Sequence, residues 1–82
     1  MLSEQKAVLH PAYNDSLLTA VRRAADDPTT CISVYWDGEA VFVRTSNAAP
    51  PPRSICICVA QRWDADTVQL RFAGARSEWV KI

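Results

Sequence analysis

The spacing of apolar residues changes once along the chain, from the period of a helix to that of strands. Apolar residues first recur on one helical face: Leu17, Leu18, Val21, Ala24 and Ala25. Asn14 or Asp15 can cap the start of this helix, and Pro28 cannot continue it, so we expect it to end near Ala25. The pattern does not assign residues 1–10, which we treat as an arm that is either helical or extended.

After the helix, apolar and polar residues alternate, which is typical of β-strands. Residues 30–36 and 39–44 alternate on either side of Asp37-Gly38, a dipeptide that favours a two-residue type I′ hairpin turn. That turn pairs Ile32 with Val43, Val34 with Val41, and Trp36 with Glu39. Three consecutive prolines within residues 47–53 then predict a stiff loop.

A second hairpin is expected from residues 54–63 and 67–73, turning at Asp64-Ala65. The register that closes on this turn pairs Ile57 with Phe72, Val59 with Leu70, and Gln61 with Val68. A slip by one residue would set Val59 against Arg71. We favour the first register because it pairs apolar residues.

These elements predict an α+β fold in which one N-terminal helix packs on one face of a four- to five-stranded antiparallel sheet, in the order α-β-β-β-β. Residues 78–82 alternate as a short final strand, either at an edge of the sheet or docked on it, and residues 1–82 form a single domain. The sheet face under the helix should carry Ile32, Val34, Val41, Val43, Ile55, Ile57, Val59, Val68, Leu70 and Phe72. The opposite face should carry Cys31, Tyr35, Phe42, Arg44, Cys56, Cys58, Arg62 and Arg71.

Composition narrows the classes of function. The 82 residues include nine Lys+Arg and nine Asp+Glu, so the formal net charge is zero. This balance argues against a protein that binds nucleic acid by neutralising many phosphates. No apolar run is long enough to span a membrane, and an odd count of three cysteines is typical of reduced thiols. We therefore expect a cytoplasmic protein without membrane association.

The sequence offers little for catalysis or metal binding. His10 is the single histidine and has no acid–base partner nearby. Cys31, Cys56 and Cys58 could be combined with His10 into a four-ligand metal site, but two cysteines separated by one strand residue do not match the usual zinc spacing. Both glycines fall at predicted turns, so there is no phosphate-binding loop. We expect no enzymatic activity, no cofactor and no metal.

Two binding hypotheses remain, and both use the sheet face away from the helix. Its candidate binding residues are Tyr35, Phe42, Arg44, Arg62 and Arg71. In the first hypothesis this face contacts a protein, either a second copy in a homodimer or a different partner, because aromatic residues and arginine are enriched at interfaces. At least one of Trp36, Trp63 and Trp79 should also be partly exposed, since a chain this small cannot bury all three.

In the second hypothesis the same face binds single-stranded DNA or RNA through arginine and aromatic contacts. Residues 47–82 carry five basic and three acidic groups, an excess of only two, which favours a protein partner. We therefore predict a small module that inhibits or regulates a partner by occupying its surface. By size class alone, such proteins include phage-encoded and mobile-element-encoded inhibitors of bacterial defence complexes, for example anti-CRISPR proteins.

Overall fold

One helix and five strands form the fold, and their order follows the change of period in the sequence. The computed structural model describes residues 11–74 and 76–82. The elements are α1 (Pro11–Asp26), β1 (Ile32–Trp36), β2 (Val41–Thr45), β3 (Ile55–Asp64), β4 (Thr67–Phe72) and β5 (Arg76–Lys81). The predicted α+β class, with a helix packed on an antiparallel sheet, is confirmed. The arm predicted for residues 1–10 lies outside the described residues.

Helix α1 already contains the two residues expected to cap it. Within the described residues it spans Pro11–Asp26, so Asn14 and Asp15 are helical. The reason is that proline is compatible with the first turn of a helix, where its missing N–H is not needed. The end of the helix, just before Pro28, agrees with the prediction.

The sheet has the strand order β2-β1-β3-β4-β5, and every neighbouring pair is antiparallel. Strands β2 and β3 both pair with β1, so they run parallel to each other on its two sides. Residues 46–54 must therefore travel back along the length of β1 to connect them. Because α1 packs against β1, β2 and β3 on one face, this connection crosses the other face. We call residues 46–54 the crossover segment.

The first hairpin has a four-residue turn, so the predicted type I′ turn is wrong. Trp36 pairs with Val41. The Asp37 carboxylate accepts hydrogen bonds from the backbone N–H groups of Glu39 (2.9 Å) and Ala40 (2.8 Å), which stabilises the longer turn. Every cross-strand partner moves by two residues, an even number, so each side chain stays on its predicted face.

The second hairpin adopts the register that the sequence analysis rejected. It turns at residues 65–66, one residue later than predicted, and Val59 lies opposite Arg71. A one-residue shift reverses the faces of a strand. Val59 therefore lies away from the helix, while Cys58 and Ala60 lie beneath it.

Small side chains account for this register. Ala20 and Ala24 of α1 are 0% exposed, and they share a buried cluster with Cys58 (1%) and Ala60 (0%) of β3. Small residues let the helix backbone approach the strand closely, which the larger Val59 would prevent. Close packing between helix and strand thus outweighs the apolar pairing on which the prediction relied.

Most of the remaining predicted core is confirmed. The predicted sheet residues that belong to the core or pack against it are Ile32, Val34, Val41, Val43, Ile57, Val68, Leu70 and Phe72. Ile57 is the extra residue of a bulge between Val34 and Tyr35. Ile55 and Leu18 were expected in the core but are 62% and 52% exposed, so those two predictions are wrong.

Three connections depend on aspartate carboxylates: Asp27 after α1, Asp37 between β1 and β2, and Asp64 between β3 and β4. Each accepts a hydrogen bond from the backbone N–H two residues further on. The strongest donors are the Thr29 hydroxyl for Asp27, the Ala40 N–H for Asp37 and the Asp66 N–H for Asp64. Hydrogen bonds to the charged form hold the pKa of each carboxyl below its ordinary value of 3.8.

The register predicts opposite responses at two adjacent residues. Ala60→Leu should lower the free energy of unfolding by about 1–3 kcal/mol, because it overpacks the contact with α1. Val59→Leu, on the other face, should change it by less than about 0.5 kcal/mol. Urea denaturation of both variants measures the difference. The rejected register requires the reverse order of the two effects.

Acid should weaken the fold through the aspartate turns. A lowered folded-state pKa means that the stabilisation is fully present above the unfolded value of 3.8 and is lost as the pH falls through the folded value. Replacing Asp27, Asp37 and Asp64 together by asparagine keeps an oxygen acceptor but removes the titration. The thermal midpoint of the triple variant should fall less steeply than that of the wild type below about pH 4. Parallel pH profiles would contradict this role.

Candidate functional site

The sheet face away from α1 is the candidate site, and we call it the open face. Cross-strand pairing and alternation define its members. They are Ser33, Tyr35, Phe42, Arg44, Cys56, Val59, Gln61, Trp63, Asp64, Thr67, Gln69, Arg71, Ser77, Trp79 and Lys81. No described helix or strand packs on this face.

The crossover segment covers the half of the open face formed by β1 and β2. Tyr35 is only 8% exposed, and Pro51 in the crossover segment is buried. The Arg44 guanidinium donates a hydrogen bond to the Ala49 carbonyl (3.4 Å), which links this half to the crossover segment. The proline-rich loop predicted from the sequence therefore shields Tyr35 from contact with a partner.

The other half, formed by β3, β4 and β5, is uncovered and carries a cluster that we call the Trp–Arg surface: Gln61, Trp63, Gln69, Arg71 and Trp79. Trp63 and Trp79 are 58% and 53% exposed, which confirms that the chain does not bury all its tryptophans. Their ring centroids are 6.0 Å apart at an interplanar angle of 83°, an edge-to-face contact. Because they belong to strands on either side of β4, the two rings meet above that strand.

Arg71 is held in place by the two glutamines. Its Nη1 donates to Oε1 of Gln61 (2.7 Å) and to Oε1 of Gln69 (3.2 Å). Gln61 and Gln69 are direct cross-strand partners, so they present both acceptors side by side. An exposed arginine normally samples many rotamers, whereas these hydrogen bonds restrict this guanidinium before any partner binds.

Arg62 was predicted on the open face but lies on the opposite one. It pairs with Val68 of the core, as the one-residue shift of β3 requires. Its guanidinium donates to the Ala25 carbonyl near the end of α1, to the Asp64 carbonyl (2.7 Å) and to the Ala65 carbonyl (2.6 Å). Arg62 thus ties the end of the helix to the β3–β4 turn, and its hydrogen bond to Ala25 satisfies a carbonyl that helix geometry leaves without a partner.

The other predicted site residues share the open face but do not form one cluster. Tyr35 is buried and Phe42 is half-buried. Arg44 is exposed, with its guanidinium 5.9 Å from the Phe42 ring. Arg44 and Arg71 lie three strands apart in the sheet, about 14 Å at the usual strand spacing. Only Arg71 belongs to the uncovered half.

Sequence reasoning did not assign Gln61, Gln69, Trp63 and Trp79 to the candidate site. A signal was present, because the rejected register pairs Gln61 with Gln69 and places Arg71 on the same face. Polar residues that meet across two strands indicate a solvent-facing patch. This signal was missed because the prediction favoured the register that pairs apolar residues.

The cysteines do not form the grouping considered from the sequence. Cys58 was expected on the open face but is buried beneath α1, whereas Cys56 is exposed. Burial raises the pKa of the Cys58 thiol to about 12, with further contributions from Cys56 and Glu78. This thiol is therefore protonated and weakly nucleophilic at neutral pH. In residues 11–74 and 76–82 no three His, Cys, Asp or Glu side chains are placed to hold a metal, and His10 lies outside these ranges.

Comparisons with protein-family models, with curated proteins and with solved structures found no match to this chain. Within the described ranges, no helix has the length and apolar character needed to cross a membrane. The geometry of the open face is therefore the feature from which a function can be inferred.

Two arginines should respond oppositely to substitution. Arg62→Gln removes hydrogen bonds from a charged donor to three carbonyls, so it should lower the free energy of unfolding by about 2 kcal/mol. Arg62→Lys should not restore it, because one ammonium cannot replace the planar fork. Arg71→Gln should cost less than about 0.5 kcal/mol. Equal losses in chemical denaturation would contradict the different roles of the two arginines.

Proposed function

We propose that this protein is a non-enzymatic binding module that inhibits or regulates a partner protein by occupying part of the partner's surface. The contact is made by the Trp–Arg surface. The observation that carries the proposal is the pair of touching tryptophans, each more than half exposed, on the uncovered half of the sheet. Tryptophan and arginine are the residue types most enriched at interface hot spots.

A protein partner is favoured over single-stranded nucleic acid. Tyr35 is buried, so it cannot stack on a base. Arg44 and Arg71 are far apart, and a neutral chain provides little of the attraction that phosphate binding needs. A nucleic-acid groove carries clustered cations, whereas the Trp–Arg surface carries one arginine beside two indoles.

The proposal extends to the class of partner and to location. A small module with one contact surface resembles, in size, the inhibitors that phages and mobile elements direct at bacterial defence or regulatory complexes. We therefore take such a complex as the partner class. Cys31, Cys56 and Cys58 are free thiols, which fits a cytoplasmic location.

Affinity capture with matched variants tests this function. Immobilised wild type should retain one protein or complex from nuclease-treated lysate of the source cells, identified by mass spectrometry. Trp79→Ala should lose it, whereas Leu18→Ala, which truncates an equally exposed apolar residue on the helix, should keep it. Retention by Trp79→Ala, or capture of no specific protein, would overturn the proposal.

Salt dependence then separates the two kinds of partner. Binding of the captured protein should weaken only slightly as ionic strength rises, since apolar contacts dominate the interface. If oligothymidylate binds instead, with an affinity that falls linearly in a log–log plot against salt, the single-stranded nucleic-acid hypothesis replaces the protein one.

A further inference from the structure

The Trp–Arg surface offers more hydrogen-bond donors than acceptors. The Oε1 atoms of Gln61 and Gln69 each accept one hydrogen bond from Arg71, which leaves each amide its NH₂ group and one oxygen lone pair. The indoles of Trp63 and Trp79 carry only an N–H donor. Nη2 and Nε of Arg71 form no hydrogen bond within the described residues.

Asp64, at the end of β3, pairs with Thr67 on the open face, and its carboxylate accepts a hydrogen bond from the Asp66 N–H at 3.1 Å. The cation Lys81, near the end of β5, is paired with Asp66 of the β3–β4 turn at 3.3 Å. Arg71 forms no ion pair with the described residues, so it presents a positive charge beside two exposed aromatic rings. The surface has its own charge and polarity even though the whole chain is neutral.

We infer that the partner segment bound here presents an aspartate or glutamate carboxylate next to an aromatic or large aliphatic side chain. This inference rests on the proposed function and names the chemistry of its partner. The carboxylate accepts hydrogen bonds from the two remaining nitrogens of Arg71, a two-point geometry that guanidinium groups favour. The apolar neighbour packs on the rings of Trp63 and Trp79.

A second copy of this chain is a poor occupant. Two Trp–Arg surfaces packed face to face would bring two donor-rich patches and two Arg71 charges together, and the five residues of this surface supply no carboxylate. The partner must therefore differ chemically from this surface.

Gln61 and Gln69 are positioning residues in this scheme. They do not contact the partner's carboxylate through Oε1; they fix the guanidinium that does. Removing one of them leaves the charge of the surface unchanged, so a loss of affinity that accompanies a loss of order at Arg71 reports the positioning of Arg71 rather than long-range attraction.

Random dodecapeptides displayed on phage provide the test, selected on the immobilised full-length chain. Enriched peptides should carry Asp or Glu within a few residues of an aromatic or large aliphatic residue. A synthetic peptide from the selection should bind Arg71→Gln at least about tenfold more weakly than wild type. The matched control Arg22→Gln removes an exposed positive charge from α1 and should leave the affinity unchanged.

Gln69→Ala tests positioning. It should weaken the same peptide, and the ¹H–¹⁵N heteronuclear NOE of the Arg71 Nε–Hε group should fall as the side chain gains freedom. Full affinity with a lowered NOE would show that the ordering of Arg71 is irrelevant and would overturn the positioning role.

Several results would overturn the inferred partner chemistry: no enriched peptides, enrichment without acidic residues, equal affinity of Arg71→Gln and Arg22→Gln, or a dimer that Trp79→Ala dissociates. The proposed function can survive such a failure. If Trp79→Ala still loses the captured protein while Arg71→Gln retains it, the binding surface is right and the acidic partner is wrong. If Trp79→Ala changes neither capture nor peptide affinity, both fail.

Discussion

Helix α1 approaches the sheet through Ala20 and Ala24, and β3 meets it with Cys58 and Ala60. This contact between small side chains is the constraint on which the rest of the structure depends. It fixes which alternate residues of β3 lie under the helix, and the pairing with β4 carries that choice across the sheet. Arg62 is placed next to the helix end and Arg71 on the opposite face as a direct result.

Much of the fold can be predicted from the periodicity of the chain. The helix, all five strands and the faces of the first hairpin follow from it, because a side chain's face depends on whether its position is odd or even. The length of the first turn was wrong, yet the error of two residues changed no face. The hydrophobic pattern alone predicts the face of each side chain where one set of alternate residues is clearly apolar.

The hydrophobic pattern does not predict which face of β3 is buried in residues 55–60, the segment Ile-Cys-Ile-Cys-Val-Ala. Both of its alternate sets are apolar, so hydrophobicity cannot choose between them. The choice depends on side-chain volume against α1, which is a property of the tertiary packing. The predicted site was affected by the same ambiguity, because Arg62 supports the helix instead of lying on the open face. Tyr35 lies under the crossover segment, and Arg71 is the predicted residue that lies on the uncovered half of the open face.

The edge-to-face contact between Trp63 and Trp79 also gives the protein an optical label of its own. Two indoles held at a fixed angle and a short distance couple their electronic transitions, so the pair contributes a circular dichroism signal that separated rings lack. Both rings are in contact with water, and the wavelength of their fluorescence emission shifts when a partner displaces that water. Occupancy of this surface can therefore be measured on unlabelled protein, through the same residues that are proposed to make the contact.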